Sequence, residues 1–471
     1  MSQDSFETRD LDTIVKFARR KGYVFPSSEI YGGYATIYDF GPLGSILKKN
    51  IEAVWRHWNI GSRTDMEEIE GAIFMHPKTW EASGHVGGFS DVLVEDLVTH
   101  KRYRADHLLE DANIVENADG LSPEQIDDFI KAHDVRSPEG NELSGAKRFN
   151  LLVKTHLGAT EDSKSLAYLK GESCQNIYLN WKSVQETTRR KLPFGIAQQG
   201  KAFRNEITVG QFLFRGREFE QADVQYFCKP EDADALYQDW KEYTWNFYVQ
   251  GLGLSEDHLR WRQHEDNERA FYARDAWDIE FKFGRIGFKE IGGLHDRSSY
   301  DLDQHSKFSG EDLSYFDPTT NERFNPFIIE ASLGVNRMYL AVLYEYYSEE
   351  TVQNSKGQDE TRIVFKLPYS LAPYKIAVLP LMKKDGLAQK GEELFSSLRK
   401  AGISATYDET ASVGKRYRRQ DEAGTPLCAT VDYQTLEDNT VTVRHRDTME
   451  QVRVSIDEIM SDSNLETLFN G

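Results

Sequence analysis

The sequence contains few cysteines, and no two of them lie close together. The 471 residues include three, Cys174, Cys228 and Cys428, which are scattered singly along the chain. This spacing indicates neither a disulfide framework nor a cysteine-based zinc site. A reducing compartment is therefore expected, most simply the cytoplasm.

Long hydrophobic runs are also missing. Apolar stretches such as residues 376–381 are far shorter than the roughly 20 residues that a helix needs to cross a bilayer. The N-terminus, MSQDSFETRDLD, is acidic and polar and does not have the pattern of a signal peptide. We therefore expect no membrane partner.

Positive charge is scarce, because 57 Lys and Arg residues stand against 77 Asp and Glu residues and leave a net charge of -20. This balance argues against a dedicated nucleic-acid binder, since phosphate backbones are bound by clustered Lys and Arg. Two basic clusters nevertheless stand out, at 101–104 and at 415–419. Each is either a solvated charged face or a contact for RNA, and composition alone does not decide between them.

The residues that are abundant predict an α+β protein with two or three domains. Hydrophobic residues make up 39% of the chain, which is enough for packed cores. Aromatic-rich strands with few helices between them run through 149–347 and favour an antiparallel sheet, to which residues 1–90 contribute the first part. Residues 91–148 are polar and predict an inserted subdomain. A hydrophilic linker at 348–370 then leads to alternating strands and helices at 371–471, typical of a small α/β domain.

Some elements have clear boundaries in the sequence. An amphipathic helix is predicted over Leu11–Lys21, ended by Gly22, and a longer helix with two tryptophans begins near Pro42. The clearest strands are predicted at 192–203, 219–228, 277–283 and 327–333, with a helix at 335–347.

The sequence has no GxxxxGK[ST] loop, so a bound nucleotide would have to be held by side chains. Arg204 and Glu206, in FRNE, are two apart after a strand-like segment and point to the same face if the chain is extended. The arginine suits a phosphate and the glutamate suits an amine. A surface salt bridge is the alternative interpretation.

A second arginine, Arg337, lies in IEASLGVNR, where a strand leads into a helix through Gly334. A cation in the first turn of a helix is locally unfavourable. Either Glu330 or solvent compensates this charge, or Arg337 and the helix terminus both face a polyphosphate. The residues alone leave both interpretations open.

These segments resemble a known family. FRNE with the following FRGREFEQ resembles motif 2 of class II aminoacyl-tRNA synthetases, and IEASLGVNR resembles motif 3. The resemblance is most specific to glycyl-tRNA synthetases of the homodimeric type, and further segments carry it along almost the whole chain. These segments are GYVFPSSEIYGG, PKTWEASGH, KLPFGIAQQGKAFRNEIT, YDETASVGKRYRRQDEAGTP and TVRHRDTMEQVRV. The resemblance implies an antiparallel-sheet catalytic domain, an inserted subdomain and a C-terminal anticodon-binding domain.

The resemblance also implies an ATP site. Arg204 would hold the α-phosphate, Glu206 would lie near the adenine amine, and Phe219 would stack under the adenine. Arg337 would cover the other face of the ring or the γ-phosphate, and Arg217 would bind the outer phosphates. Arg204, Glu206 and Arg337 are the residues assigned to catalysis. The full set implied for ATP is Arg204, Asn205, Glu206, Phe214, Arg215, Gly216, Arg217, Glu218, Phe219, Glu290, Ile291, Gly334, Val335, Asn336 and Arg337.

Metal use follows from the same resemblance. Glu290 matches the segment that binds ATP through Mg²⁺, which suits a carboxylate ligand. Many bacterial relatives carry cysteine pairs in the insertion, and we expect no zinc here because this chain has other residues there. These residues are Asp96, Thr99, Ser137 and Gly140.

Glycine has no side chain, so its selection requires a grip on the ammonium group and exclusion of larger amino acids. The carboxylates implied for this grip are Glu172, Glu220, Asp223 and Glu330, and Arg104 would reach the substrate from the insertion. The full set implied for glycine is Arg104, Glu172, Phe219, Glu220, Gln221, Ala222, Asp223, Glu330, Ala331, Ser332, Leu333 and Gly334.

Four positions depart from the family pattern. Gly171 and Ala331 stand where the family usually has proline, Asp223 replaces glutamate, and Asn336 replaces an acidic residue. The loss of proline predicts a looser backbone. These departures motivate the alternative of a catalytically inactive, nucleic-acid-binding accessory subunit, although a binding module has no need of the arginines. A second alternative is an enzyme that activates another small amino acid.

The remaining expectations concern partners and histidines. The resemblance makes the cluster Lys415, Arg416, Arg418 and Arg419 a contact for tRNA(Gly). The expected partners are thus tRNA(Gly), glycine, ATP and a second copy of the chain, because the segment from Gly41 to Pro77 occupies the place of the interface motif 1. Three histidines are interpreted as structural hydrogen-bonding residues, namely His57, His85 and His295.

Overall fold

A computed structural model of the chain describes residues 6–115, 118, 121–162, 164–206, 212–265, 268–270, 272–353 and 357–470. The motif residues Ile207 and Thr208 and the linker residues 354–356 lie outside these ranges.

The main domain is built on a sheet that has seven strands within the described ranges. Neighbouring strands are antiparallel, as predicted, except for a parallel pair in which Met66 lies opposite Gly195. In sheet order the strands are Leu259–Gln263, Asp275–Lys282, Phe288–Ser298, Phe327–Gly334, Glu218–Cys228, Phe194–Phe203 and Met66–Glu68. We call Phe194–Phe203 and Glu218–Cys228 the hairpin strands, and Phe327–Gly334 the central strand.

The two hairpin strands form a continuous ladder from Phe194 opposite Phe227 to Phe203 opposite Glu218. Because side chains alternate along a strand, Phe219, Gln221 and Asp223 face one side of the sheet. The next residues in between, including Glu220 and Ala222, face the other side. The strand Glu218–Cys228 thus turns one face toward a polar cleft and the other toward the hydrophobic core.

Helices cover the apolar side of this sheet. The helix that follows the central strand, Val335–Tyr346, is almost entirely buried there. The helix Leu11–Lys21 has the predicted limits, since Asp10 caps its first turn and Gly22 ends it with a φ of 75°. The helices are Leu11–Lys21, Pro42–Arg56, Pro77–Ala82, His85–Gly88, Ala105–Asp111, Pro123–His133, Cys174–Thr188, Ala233–Asn246, Tyr300–Ser309, Val335–Tyr346, Leu387–Lys400, Val413–Glu422, Tyr433–Asp438 and Asp462–Asn470.

Smaller sheets complete the fold. In the C-terminal domain, the sheet order is Ala405–Tyr407, Ile376–Pro380, Leu427–Val431, Thr440–His445 and Gln451–Ser455. The other strands are Val24–Pro26, Tyr38–Phe40, Phe74–Met75, Ser90–Glu95, Arg102–Arg104, Lys147–Asn150, Lys154–His156, Leu166–Leu169, Tyr315–Asp317, Glu322–Phe324, Tyr347–Gln353 and Asp359–Phe365. Among the described residues, no helix combines the length and the apolar character that crossing a membrane requires.

The segment interpreted as a hydrophilic linker contains regular structure. Its strands Tyr347–Gln353 and Asp359–Phe365 pair antiparallel along their length. Arg362, on the second strand, is fully buried, and its Nε donates to Asp421 Oδ2 at 2.9 Å in the C-terminal domain. The linker interpretation did not include this pairing, in which backbone hydrogen bonds stabilise a ribbon whose side chains are mostly polar.

A carboxylate organises the tip of the insertion. Asp96 is buried and accepts hydrogen bonds from the backbone N–H groups of Val98 and Thr99, both at 2.8 Å. It also accepts from Ser137 Oγ at 2.6 Å and from Asn141 Nδ2 at 3.0 Å. Three of the four positions singled out in the insertion, Asp96, Thr99 and Ser137, thus meet in this network of oxygen and nitrogen atoms.

Replacing Asp96 by alanine is expected to loosen this tip, because four donors lose their shared acceptor. Hydrogen exchange of peptides covering 96–101 and 137–141 should accelerate by on the order of tenfold, while the main sheet keeps its protection. Asp134→Ala is the control, since this exposed aspartate of the same insertion pairs with Arg136 in solvent. Equal exchange in both variants would contradict the role of Asp96.

The same network predicts a dependence on pH. Burial alone would raise the pKa of Asp96, but the donors from Ser137, Thr99, Asn141 and Val98 lower it well below its usual 3.8. The contribution of Asp96 to stability is therefore fully present above pH 3.8 and is lost as the pH falls through the lowered value.

Candidate active site

A cleft of about 250 Å³ opens on the polar side of the main sheet, where the hairpin strands, the central strand and the following helix meet. Most of its lining side chains are polar or charged. They are Glu172, Cys174, Arg204, Glu206, Leu213, Phe214, Arg215, Gly216, Phe219, Gln221, Asp223, Tyr272, Glu290, Gly292, His295, Arg297, Glu330, Ser332, Leu333, Gly334, Asn336 and Arg337. The three residues predicted to be catalytic are all among them.

Arg204 lies at the end of the first hairpin strand and is held on several sides. Its Nε donates to the carbonyl oxygen of Gly171 at 3.2 Å, and its Nη2 lies 3.5 Å from Glu172 Oε1. The guanidinium is sandwiched by two aromatic rings, 4.9 Å from the centroid of Phe89 and 5.2 Å from that of Phe219. A planar cation in this setting is preorganised to receive a phosphate.

Arg337 reaches the same cleft from the first turn of the helix Val335–Tyr346. Its Nε donates to the carbonyl oxygen of Phe214 at 2.9 Å, and its Nη1 lies 2.8 Å from Glu290 Oε2. Glu290, not Glu330, therefore compensates the charge. Burial would raise the pKa of Glu290, but the guanidinium of Arg337 outweighs burial and lowers it.

Two of the carboxylates predicted to bind glycine are ionised and paired. Burial would raise the pKa of Glu172, but His85, Arg204 and Arg297 lower it well below its usual range. Burial opposes ionisation of Glu330 as well, and Arg297, with Nη1 at 2.9 Å from Oε2, and His295 lower the pKa of that carboxyl. Each of the two carboxylates is thus compensated by an arginine that lines the same cleft.

Asp223 behaves differently from these two carboxylates. Burial raises its pKa well above the usual value, and the nearby charges of Glu330 and Glu172 raise it further. Its Oδ1 atom is buried and has no hydrogen-bond partner within the described part of the chain. A buried oxygen of this kind suits an N–H donor of a ligand.

Sequence reasoning missed several lining residues. These are Cys174, Leu213, Tyr272, Gly292, His295 and Arg297. Arg297 is the most consequential, because this buried guanidinium bonds both Asp301, at 2.8 Å, and Glu330. Its spacing of four from Asp301 was the available signal, but the contact with Glu330 depends on the alignment of two neighbouring strands.

Other predicted residues lie outside the lining. For ATP these are Asn205, Arg217, Glu218, Ile291 and Val335, and for glycine they are Arg104, Glu220, Ala222 and Ala331. Glu220 faces the opposite side of its strand and pairs with Lys48 at 2.5 Å, so its carboxylate is turned away from the cleft. Ala222 is buried in the core for the same reason. Arg104 is held by Asp106 and by Asp91 at 3.5 Å.

The segment around Gly171 is closely packed and hydrogen-bonded. A Cβ atom added at Gly171 would lie 2.8 Å from Leu152 Cδ2, so the neighbouring side chain already fills the space. The preceding residue, Lys170, donates its N–H to Ile73 O at 2.8 Å and accepts from the N–H of Phe203 at 2.7 Å. These contacts restrain the backbone next to the glycine.

Residues of both basic clusters are engaged in contacts within the protein. In the first, Lys101 pairs with Glu139 at 2.6 Å and Arg102 pairs with Glu95 at 3.1 Å. In the second, Arg418 pairs with Glu360 at 2.5 Å and Arg419 with Asp408 at 2.9 Å. Arg416 is 1% exposed and donates to backbone carbonyl oxygens, including that of Pro380 at 2.5 Å. Arg416 therefore serves the fold and is removed from the set of RNA contacts.

Comparison with known proteins bears on the identity of this cleft. Residues 157–346 match the model of the tRNA synthetase class II core domain (G, H, P, S and T), and residues 375–462 match that of the anticodon binding domain. The glycine–tRNA ligase of Clostridium perfringens is 47% identical over 96% of this chain and 97% of its own length. That of Streptomyces coelicolor is 46% identical over 95% of this chain and 96% of its own.

The chain belongs to the glycine–tRNA ligase family. A solved structure of a prolyl-tRNA synthetase from Cryptosporidium parvum, complexed with L-proline and AMP, shares the fold with a TM-score of 0.63. Its sequence identity is 15%, and the match covers 99% of this chain and 77% of that one. None of these comparisons supports the alternative of an inactive accessory subunit.

Proposed function

We propose that this glycine–tRNA ligase attaches glycine to tRNA(Gly) in two steps through a glycyl-adenylate. The observation that carries the proposal is one cleft into which Arg204 and Arg337 both project, and which is also lined by the carboxylates of Glu172, 3.5 Å from Arg204, and Glu330. The first group suits a polyphosphate and the second suits an ammonium ion.

In the first step, a carboxylate oxygen of glycine attacks the α-phosphorus of ATP, and pyrophosphate leaves. The nucleophile is already anionic, so no general base is required. The guanidinium of Arg204 lies over the rings of Phe89 and Phe219 and neutralises the negative charge that develops on the α-phosphate in the transition state. In the second step, a ribose hydroxyl of the tRNA attacks the carbonyl carbon, and AMP leaves.

Selection of glycine depends on three carboxyl groups that line the cleft, those of Glu172, Asp223 and Glu330. The lowered pKa values of Glu172 and Glu330 favour negatively charged carboxylates that attract the ammonium group. The Oδ1 of Asp223, which has no hydrogen-bond partner among the described residues, can accept a hydrogen bond from one of its N–H groups. Arg297, which also lines the cleft, holds Glu330 in place through its Nη1, 2.9 Å from Oε2. Steric exclusion of a methyl group on the α-carbon would then reject alanine without any need to recognise a side chain.

The nucleotide would be accompanied by Mg²⁺. Glu290 places a carboxylate at the rim of the cleft, but Oε2 is engaged by Arg337. No group of three His, Cys, Asp or Glu residues suited to a metal occurs within the described ranges. Phosphate oxygens of the nucleotide would therefore supply most of the ligands, with Glu290 beside them, and the ion would neutralise phosphate charge.

Glycine-dependent exchange of labelled pyrophosphate into ATP tests the proposal. We expect exchange with glycine and little with alanine or serine. Exchange that is faster with alanine or serine would favour an enzyme for another small amino acid. Absence of exchange with every amino acid would contradict adenylate formation altogether.

The basic helix Val413–Glu422 is proposed to contact tRNA(Gly) through Lys415, Arg418 and Arg419. Replacing all three by alanine should raise the KM for tRNA and leave pyrophosphate exchange unchanged. The slope of log affinity against log salt should become shallower by about one for each phosphate that the variant no longer binds. Lys400→Ala, an exposed lysine of the same domain, is the control. An unchanged salt slope in the triple variant would contradict the assignment.

We also propose that the chain forms a homodimer near the helix Pro42–Arg56. The loop before this helix exposes Ile30, Tyr31 and Tyr34, with 87%, 88% and 69% of their surfaces accessible. Apolar side chains clustered in solvent mark interaction surfaces. Sedimentation at micromolar concentration should give twice the mass of the chain, and a monomer would contradict the proposal.

A further inference from the structure

His85 is the last residue of the segment PKTWEASGH and contacts Glu172, one of the carboxylates that line the cleft. Its Nε2 lies 3.0 Å from Glu172 Oε2, and its Nδ1 lies 2.8 Å from Ser83 Oγ. The imidazole is 7% exposed and packs edge-on between two rings, 5.2 Å from the centroid of Trp80 and 5.1 Å from that of Phe89. Ring packing and the Ser83 contact together fix the direction in which Nε2 points.

Glu172 needs such support because it lies on a loop. The carboxylate projects from the connection between the strand Leu166–Leu169 and the helix Cys174–Thr188. Its Oε1 lies 3.5 Å from Arg204 Nη2, a distance that is long for a hydrogen bond, whereas Oε2 is within hydrogen-bond reach of His85. The contact with His85, at 3.0 Å, is therefore the shortest polar contact of the Glu172 carboxylate.

The segment that carries His85 also supports Arg204. Phe89 lies at the end of the short helix His85–Gly88, and its ring packs against the guanidinium. One short segment thus contacts both the residue proposed to meet the ammonium group and the residue proposed to meet the α-phosphate. These two contacts come from different side chains and can be removed separately.

We infer that His85 is a positioning residue of the glycine site, which holds Oε2 of Glu172 so that Oε1 stays on the side of Arg204 and the substrate. The inference rests on the proposed function, since it assigns Glu172 to the ammonium group. It revises the expectation that His85 serves the fold alone. Without the imidazole, Oε2 would rely on the weak donor Cys174 Sγ, 3.5 Å away, and the glutamate would adopt other rotamers, so the site would lose its preorganised charge.

Two substitutions separate positioning from packing. His85→Leu retains bulk but removes the donor, whereas His85→Gln retains an N–H donor near the position of Nε2. In pyrophosphate exchange, His85→Leu should raise the KM for glycine by on the order of tenfold to a hundredfold, the loss expected for a hydrogen bond to a charged group. The KM for ATP should stay within about twofold, and His85→Gln should recover most of the glycine KM.

His258→Leu is a matched control. Its Nδ1 lies 2.8 Å from Glu345 Oε2 and its ring is stacked on Phe6, so it forms the same kind of pair away from the cleft. This variant should keep both KM values. Thermal unfolding of every variant reports whether the fold is retained.

Several outcomes would overturn the inference. One is an unchanged KM for glycine in His85→Leu, and another is an equal rise for glycine and ATP. A third is a loss in His85→Gln as large as in His85→Leu, with both unfolding at lower temperature, which would make the role one of packing. If the unaltered chain shows no glycine-dependent exchange, the proposed function itself fails and the inference falls with it.

Discussion

Replacing Arg204 by alanine is expected to lower glycine-dependent pyrophosphate exchange by about 10²–10³-fold, the loss found when one preorganised donor to a developing charge is removed. The reason is geometric as well as electrostatic. The guanidinium is held between Phe89 and Phe219 and tied to the carbonyl oxygen of Gly171. A phosphate that enters the cleft therefore meets a cation that needs little reorganisation. The decline should appear mainly in kcat, because the charge is greatest in the transition state.

Arg260→Ala is the control for this prediction. Arg260 is an exposed arginine at the edge of the same sheet, paired with Glu280 at 2.6 Å and packed on Phe288. Its removal should leave exchange unchanged. Near-normal exchange in Arg204→Ala, with an intact fold, would mean that the segment FRNE does not have the role of motif 2.

Arg297→Met is expected to lower stability more than most single substitutions in this chain. Arg297 is 2% exposed and compensates Asp301 and Glu330, which are also buried. Removing one partner of a buried ionic cluster costs about 3–5 kcal/mol, because the remaining charges are left uncompensated. At about 2–4 °C for each kcal/mol in a domain of this size, the unfolding temperature should fall by roughly 6–20 °C.

Calorimetry with and without glycine checks this expectation. Arg323→Met is a suitable comparison, since Arg323 and its partner Asp312 are 58% and 66% exposed and lie 3.2 Å apart. Such a pair contributes about 0–1 kcal/mol, so the transition should hardly move. A fall of similar size in both variants would show that burial of Arg297 is not the cause.

Local patterns predicted much of the framework. The helix Leu11–Lys21 has the expected limits, and the hairpin strands begin within about two residues of theirs, because caps and strand periodicity are properties of neighbouring residues. The pairing of two strands at 347–365 was not predicted, because hydrophilic side chains do not reveal whether two backbone segments pair. The same limit applies to any exposed two-stranded ribbon.

Predicting the site depended on relations between distant residues. Glu220 was assigned to the glycine site by the resemblance, but strand alternation turns it toward Lys48. His85 and Arg297 were missed as partners of Glu172 and Glu330, since each contact joins elements that lie far apart in the chain. Only the fold brings these charges together, and a resemblance of motifs transfers residue types without their environment.

The burial of Arg362 against Asp421 affects where the chain can be cut to give a stable fragment. Asp421 is also bonded by Arg444 at 2.9 Å, and Lys21 of the first helix reaches the neighbouring Glu422 at 2.5 Å. A fragment beginning at residue 371 would keep the aspartate and lose one of its two arginines. An independently stable C-terminal piece should therefore start upstream of the ribbon, near Tyr347, and chimaeras that exchange this region between relatives should carry the ribbon with it.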